Sequence, residues 1–412
     1  MPGMYKVNTK VCIILAFYLF LAMLISWPLV LHLDGFLLSK NYPDISHSDT
    51  LLHLKRMQEA RANLVNFQDP VIADYAEVSQ VYVFFSIILT LIFKVPDIIA
   101  YNIFFILTIF LAGLFMYFFA QEIVRDRLFA FFSGFLYMSS KYMVYAYYWG
   151  HTNIWQIGWI PFIFWSLEKF LQSPKTKNIF FFALAISLQI LSSTQYTIYL
   201  SVIILLYLAL RLIFYKKKFH FNGKPKTIIM NGIIFFSTIY MFSGYYIFKK
   251  LILIPPYRPI QEIKPEWVLR SLSELIAPES FLYIGVIPLL LALLGLYIVL
   301  KNFHSERYKK FFPFFIVFVA VAILMMGPFS AFAPYYWLYV FWPGFTYVRV
   351  PFRFFPFALL GSSVTAPIFL LYMTEGRNTW KHRKAVAVGL IILILFIQMF
   401  FSSFFERHIF YL

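Results

Sequence analysis

Eleven apolar blocks of membrane-spanning length, separated by short charged corners, leave this chain few folds to choose from. They run over 11–31, 98–120, 128–144, 153–170, 178–193, 196–214, 227–248, 282–300, 311–327, 353–374 and 385–405. About 20 apolar residues in a helix cross the hydrocarbon core of a bilayer, and every backbone N–H and C=O inside it needs an internal partner. Barrel strands meet that need with apolar and polar residues alternating along short segments, and these blocks do not alternate. The chain therefore reads as all-α, a single polytopic transmembrane helical bundle of about 11 spans over 1–412, with no soluble domain of any size. Composition agrees: 61% of the residues are hydrophobic and 13% charged, against roughly a quarter charged in soluble domains.

A formal charge of +17 would point to nucleic acid in a soluble protein. In a membrane protein it sets orientation instead, because Lys and Arg collect in cytoplasmic loops. No nucleic-acid partner is implied. With the N-terminus in the cytoplasm, the inner corners 1–10, 121–127, 168–177, 211–226, 301–310 and 375–384 hold 21 of the 35 bases but five of the 18 acids. The expected location is the cytoplasmic (plasma) membrane. Residues 11–31 are too long for a cleaved signal and lack a small-residue cleavage site, so they read as a retained first span. The single cysteine, Cys12, rules out an intrachain disulfide. One apolar block, "VYVFFSIILTLIF" at 81–93, is short, and counting it as a span would put the basic run at 215–218 outside. It reads as a re-entrant or interfacial helix. The outer regions are then 32–97, the longest and most acidic, together with 249–281 and 328–352.

Four stretches of the outer regions carry groups capable of chemistry. "SHSDTLLHLKRM" at 46–57 opens an amphipathic helix, with Ser48 or Asp49 as its N-cap. At 100° per residue Asp49, His53 and Arg56 fall within about 60° of one another. They form either a solvated cap and polar face or one edge of an active site. "YAYYWGHTNIWQIGWIPF" at 145–162 has aromatic anchors typical of the interface. Within it, Gly150 permits close approach to His151, a candidate phosphate donor or structural hydrogen-bonder. "GFTYVRVPFRFFPFALL" at 344–360 sets Arg349 and Arg353 around Pro351, suited either to bidentate phosphate binding or to snorkelling at a helix end. "WVLRSLSELIAPESFLYIG" at 267–285 carries Arg270, Glu274 and Glu279; Arg270 and Glu279 are candidate substrate-binding groups, and the alternative is a helical Arg270–Glu274 pair. The sequence lacks a P-loop, HExxH, GxSxG and a cysteine nucleophile. General-base or metal-assisted transfer at phosphate remains.

The order of these pieces carries a resemblance. A first span is followed by "SDTLLHLKRM", "VPDIIAYN", "GLFMYFFAQEIVRDRLFAFFSGFLYMSS", "WGHTNIWQIGWIPF", "LQILSSTQYTIY", "PESFLYIGVIPLLLALLGL" and "VRVPFRF". The succession resembles the GT-C superfamily of polytopic glycosyltransferases, and is most similar to its bacterial and archaeal branch. The resemblance implies transfer of a sugar from a polyprenyl-phosphate carrier, on the outer side of the membrane, to a hydroxyl on a glycan, lipid or protein. It implies Asp49 as catalytic base with Asp44 as a second acid, Gly150–His151 at the mouth, and Arg349 and Arg353 as the Arg-x-Pro-x-Arg that binds carrier phosphate; His53, Arg56, Arg270 and Glu279 complete the expected substrate site. A divalent cation, magnesium or manganese, is a possible cofactor, with Asp44, His47, Asp49 and His53 as candidate ligands; zinc would also suit mixed His and carboxylate ligands. Two departures stand out. Asp44 and Asp49 are five apart where relatives pair their acids closely, and the soluble outer domain that many carry after the last span is missing. The competing readings are a transporter or flippase of lipid-linked saccharides and a non-catalytic protein of the same fold.

Overall fold

The computed structural model describes residues 9–27, 29–34, 49–66, 68, 79–148, 150–214, 225–253, 263–374 and 380–399. Among them every regular element is helical. The helices are α1 (Thr9–Ile25), α2 (Asp49–Val65), α3 (Gln80–Ile87), α4 (Asp97–Val124), α5 (Arg127–Met138), α6 (Lys141–Tyr148), α7 (Trp159–Gln172) and α8 (Thr176–Ser192). They continue with α9 (Thr194–Phe214), α10 (Pro225–Leu253), α11 (Val286–Lys301), α12 (Glu306–Lys309), α13 (Phe312–Met325), α14 (Pro334–Phe341), α15 (Phe355–Thr374) and α16 (Trp380–Met399). Among the described residues, four stretches are long and apolar enough to cross a membrane unaided: Asp97–Val124, Thr194–Phe214, Glu306–Met325 and Pro351–Thr374.

Each apolar block of the sequence carries a helix, but two do not run as drawn. The block at 128–144 breaks at Ser139–Ser140, where Ser139 caps α5 and the Ser140 hydroxyl accepts the Tyr142 N–H at 3.3 Å to start α6. The block at 153–170 becomes helical only at Trp159, after a string of turns. Hydropathy does not see either break, because the residues around them are as apolar and aromatic as a span. The 81–93 block is helical too: α3 continues through a π-helical turn, Ile88–Ile92, and packs against α2, α4 and α8.

The centre of the bundle is α15, whose side chains are buried almost end to end. It packs against α5, α11 and α13. Three of its buried polar residues, Ser362, Thr365 and Thr374, satisfy themselves on carbonyls one turn back and so cost little in an apolar interior, while the buried Ser363 hydroxyl is without a partner among the described residues. Close approaches lock neighbouring helices: a Cβ on Gly134 of α5 would lie 2.6 Å from the Gly113 carbonyl of α4 and collide with the Tyr18 hydroxyl of α1, which donates to Phe131 O at 2.9 Å. Only glycine fits there.

One end of the bundle is closed by a buried ion pair. Glu168 of α7 is fully buried and Arg211 of α9 nearly so. Arg211 donates Nε to Oε1 at 2.8 Å and Nη2 to Oε2 at 2.9 Å, and the Tyr207 hydroxyl donates to Oε1 at 2.6 Å. The carboxylate thus has charge-assisted donors on both oxygens, which is what makes a buried charge tolerable.

Candidate functional site

The other end holds Arg56, His151 and Arg353 of the residues singled out in the sequence, in two groups joined by α6. In the first, α2 is pinned to the start of α4. Arg61 forms a two-pronged ion pair with Asp97 and donates to the Thr90 hydroxyl at 2.9 Å, while Gln58 donates to Asp97 Oδ2 at 2.7 Å. Leu54 and Ala60 are buried and Arg56 half-buried, so the arc of α2 holding Leu54, Arg56, Ala60 and Arg61 faces the protein. Asp49 begins α2; the side chains of Asp49 and His53 lie outside the described residues, as do Asp44 and His47 altogether. The candidate metal ligands thus fall beyond the description, and among the described residues no three His, Cys, Asp or Glu gather. Removing the clamp with Asp97→Asn is expected to weaken α2 docking by about 1–3 kcal/mol, read as faster amide hydrogen exchange across 49–65 with the exchange of α15 unchanged.

The first group reaches α6 through Tyr147, whose hydroxyl bonds the Asn102 side chain of α4; Asn102 in turn donates to Leu33 O at 2.9 Å. The chain then turns at Gly150, with φ of +75°, a conformation that suits glycine. His151 follows, half-buried, its N–H on Ala146 O at 3.1 Å and its carbonyl accepting from Ile154 at 2.9 Å. The Gly-His pair therefore sits directly against the end of α6.

The second group surrounds the start of α6. The Tyr142 and Tyr196 hydroxyls share a hydrogen bond of 2.8 Å. Tyr199 donates to Val350 O at 2.9 Å and Tyr335 to Val348 O at 3.0 Å, which fixes the strand-like approach to α15. Arg353 enters this ring from the 3₁₀ turn Pro351–Phe354. Its Nη1 donates to Gln195 Oε1, its Nε is buried without a hydrogen-bond partner, and among the described residues no carboxylate pairs with it. A half-buried guanidinium with a neutral partner and spare donors is a site for an anion. Lys141, almost fully buried, brings a second cation to α6 and donates to Pro278 O at 3.1 Å. Tyr142 and Tyr147 are five residues apart on α6, so the two groups stand about 8 Å apart along its axis.

The remaining predicted residues are placed less centrally. Arg349 is exposed and stacks on the Trp267 ring, 5.0 Å from its centroid, tying the 263–285 loop to the approach of α15. Arg270 and Glu274 do not form a helical pair: the segment is extended before a short 3₁₀ turn, the Arg270 backbone N–H donates to Glu274 Oε1 at 3.1 Å, and its Nε donates to Pro265 O at 3.3 Å. Glu279 is exposed, one residue past the carbonyl that holds Lys141. The sequence reading passed over Asp97, Arg61, Lys141, Tyr142, Gln195 and Tyr196. Asp97 and Gln195–Tyr196 lie inside "VPDIIAYN" and "LQILSSTQYTIY", stretches marked as motifs without a residue being chosen.

Fold and site together define a polytopic helical membrane protein with a half-buried arginine, Arg353, at one end of its central helix. Two solved structures share the architecture over 94% of this chain, each with a TM-score of 0.54: the arabinofuranosyltransferase AftD from Mycobacteria, at 10% identity, and the archaeal oligosaccharyltransferase AglB from Archaeoglobus fulgidus, in complex with an inhibitory peptide and a dolichol-phosphate, at 14% identity. The chain spans 26% of the AftD chain and 55% of the AglB chain. No protein-family model and no curated protein matches the sequence.

Proposed function

We propose that the protein is a membrane glycosyltransferase that moves a sugar from a polyprenyl-phosphate-linked donor to an acceptor hydroxyl on the outer side of the cytoplasmic membrane. The observation that carries this reading is Arg353, a half-buried guanidinium held by a neutral amide, with no carboxylate partner among the described residues, in a fold shared with membrane glycosyltransferases. Such a group stabilises the charge that grows on a departing phosphate, and it does so without reorganising, because the Tyr142, Tyr196, Tyr199 and Gln195 contacts already fix its surroundings.

Asp49 is assigned the base. It takes the proton of the acceptor hydroxyl as that oxygen forms a bond to the anomeric carbon, while the bond from that carbon to the phosphate oxygen breaks and the lipid phosphate leaves with the electron pair. Attack opposite the leaving group inverts the anomeric centre. Arg353 receives the phosphate, with Arg349 at the approach and His151 at the mouth. Arg61 and Asp97 are positioning residues that hold α2 in place. The chemistry of the outer region favours a phosphate-linked donor; the sugar and acceptor follow from assay.

The test compares Asp49→Asn with the wild-type protein in proteoliposomes supplied with polyprenyl-phosphate sugars. The variant is expected to bind polyprenyl phosphate with unchanged affinity and to lose at least about a hundredfold in turnover. Unchanged turnover removes Asp49 from the mechanism.

A further inference from the structure

Hydropathy places the stretch after α13 outside the membrane, yet from Phe311 to Val348 the chain has no Asp, Glu, Lys, Arg or His. Gly327, at φ +70°, turns the chain out of α13, where a Cβ would lie 2.7 Å from the Val268 side chain. Phe329 and Phe332 follow, 60% and 88% exposed, and then α14. Tyr335 and Tyr339 of α14 are buried. At 100° per residue Trp337, Val340 and Phe341 fall on the opposite side of the helix, and all three are exposed. The Trp337 and Phe341 rings stack there, with centroids 5.5 Å apart.

The polar atoms of this segment turn inward. The Tyr335 hydroxyl donates to Val348 O at 3.0 Å, and Trp342 Nε1 donates to the Ser201 hydroxyl of α9 at 2.9 Å. The Phe345 ring meets Tyr335 and Tyr199 edge-on, at 5.1 and 5.9 Å. The inner face of α14 is thus fixed to α9 and to the approach of α15, while its outer face presents aromatic and aliphatic carbon. An apolar patch of this kind, left facing out, marks an interaction surface.

Two observations say what covers it. The segment is joined at both ends to membrane-capable stretches, one ending at Met325 and the next beginning at Pro351, so α14 stays close to the bilayer. Its neighbours at this end of the bundle have the opposite character. The Leu269 N–H donates to Met325 O at 2.8 Å, which ties the 263–285 loop to the same corner, and that loop exposes Lys264, Glu266, Arg270 and Glu279. The exposed side of α2 likewise carries Lys55, Gln58 and Glu59. Those surfaces suit water. We propose that α14, with Phe329 and Phe332, is an interfacial helix lying in the outer leaflet of the bilayer, its Trp337–Phe341 face sunk about 5–10 Å into the boundary between headgroups and acyl chains. Trp and Tyr favour that depth, and the charge distribution of the sequence selects the outer leaflet. The Arg353 end of α15 then borders lipid on its α14 side and water on the side of the 263–285 loop. The proposal does not depend on the glycosyltransferase reading.

Phe332→Cys, Phe341→Cys and, as a reference in water, Lys264→Cys are made singly in a Cys12→Ser background, spin-labelled, and the full chain is reconstituted in phosphatidylcholine vesicles. Oxygen concentrates among acyl chains and a nickel chelate stays in water, so their relative access to the label reports depth. The labels at 332 and 341 are expected to favour oxygen several-fold more than the label at 264. All three positions are exposed, so the variants should melt with the Cys12→Ser protein. A second measurement needs no label: the share of tryptophan emission quenched by lipid brominated in its acyl chains should fall in Trp337→Phe. The proposal is overturned if nickel reaches 332 and 341 as readily as 264, or if quenching is unchanged in Trp337→Phe. It is also overturned if both labels are shielded from both reagents and show spin–spin broadening that disappears on dilution with unlabelled chain, which would make this face a contact with a second copy.

Discussion

Arg353→Met is expected to lower the rate of sugar transfer by about 10²–10³-fold while leaving the melting temperature unchanged or raised. The loss follows from removing a preorganised donor to a leaving phosphate, in surroundings of buried tyrosines where water competes poorly. The stability sign follows from the ground state. Without a bound anion the guanidinium keeps a buried Nε that no group satisfies among the described residues, and Gln195 on Nη1. An apolar side chain of similar length removes that desolvation cost. Arg353→Lys should sit between the two, since it restores charge but not the planar fork. Steady-state kinetics with a melting curve on the same preparations check both signs. A drop in stability parallel to the drop in rate would make Arg353 a structural residue.

The second large effect lies at the opposite end. Glu168→Leu is expected to destabilise the protein by about 3–5 kcal/mol, because it takes from the nearly buried Arg211 guanidinium the carboxylate that accepts from its Nε and Nη2. Adding Arg211→Met should recover most of that loss, since an apolar pair of similar volume replaces a satisfied charged one. Thermal unfolding of the wild type, the single and the double variants in one lipid mixture decides it. The folded fraction of each should transfer sugar at the wild-type rate, because α7 and α9 carry this pair at the end away from Arg353.

These two arginines show what a sequence of this kind makes legible. Hydropathy found the helices, since apolar blocks long enough to span must satisfy their own backbones, and the placement of α15, α9 and α4 follows directly. It missed the break at Ser139–Ser140, which needs only a hydroxyl competing for the Tyr142 N–H. Arg211 looked like one more base in an inner corner. Its role depends on Glu168, 43 residues earlier, and no local pattern connects the two. Arg353 was legible as a phosphate candidate because two arginines around a proline before a span are unusual on an outer face. Its partner Gln195, 158 residues away, was not. Asp97 was hidden for a different reason: an acid in the first turn of a helix needs no explanation beyond the helix dipole, and only the fold shows Arg61 and Gln58 closing on it. Positions 49 and 53 were placed together by helical periodicity, and α2 begins at Asp49, next to the N-cap positions expected from the sequence.

The most direct test of the account is transfer itself. The protein is reconstituted with a pool of polyprenyl-phosphate sugars labelled in the sugar and offered hydroxyl-bearing glycan, lipid and peptide acceptors, and the fate of the label is followed together with the release of polyprenyl phosphate. The account predicts label on an acceptor, released carrier phosphate in equal amount, and an inverted anomeric centre. Tight binding of the lipid-linked sugar with no transfer, or movement of the intact lipid-linked sugar across the membrane, would contradict it.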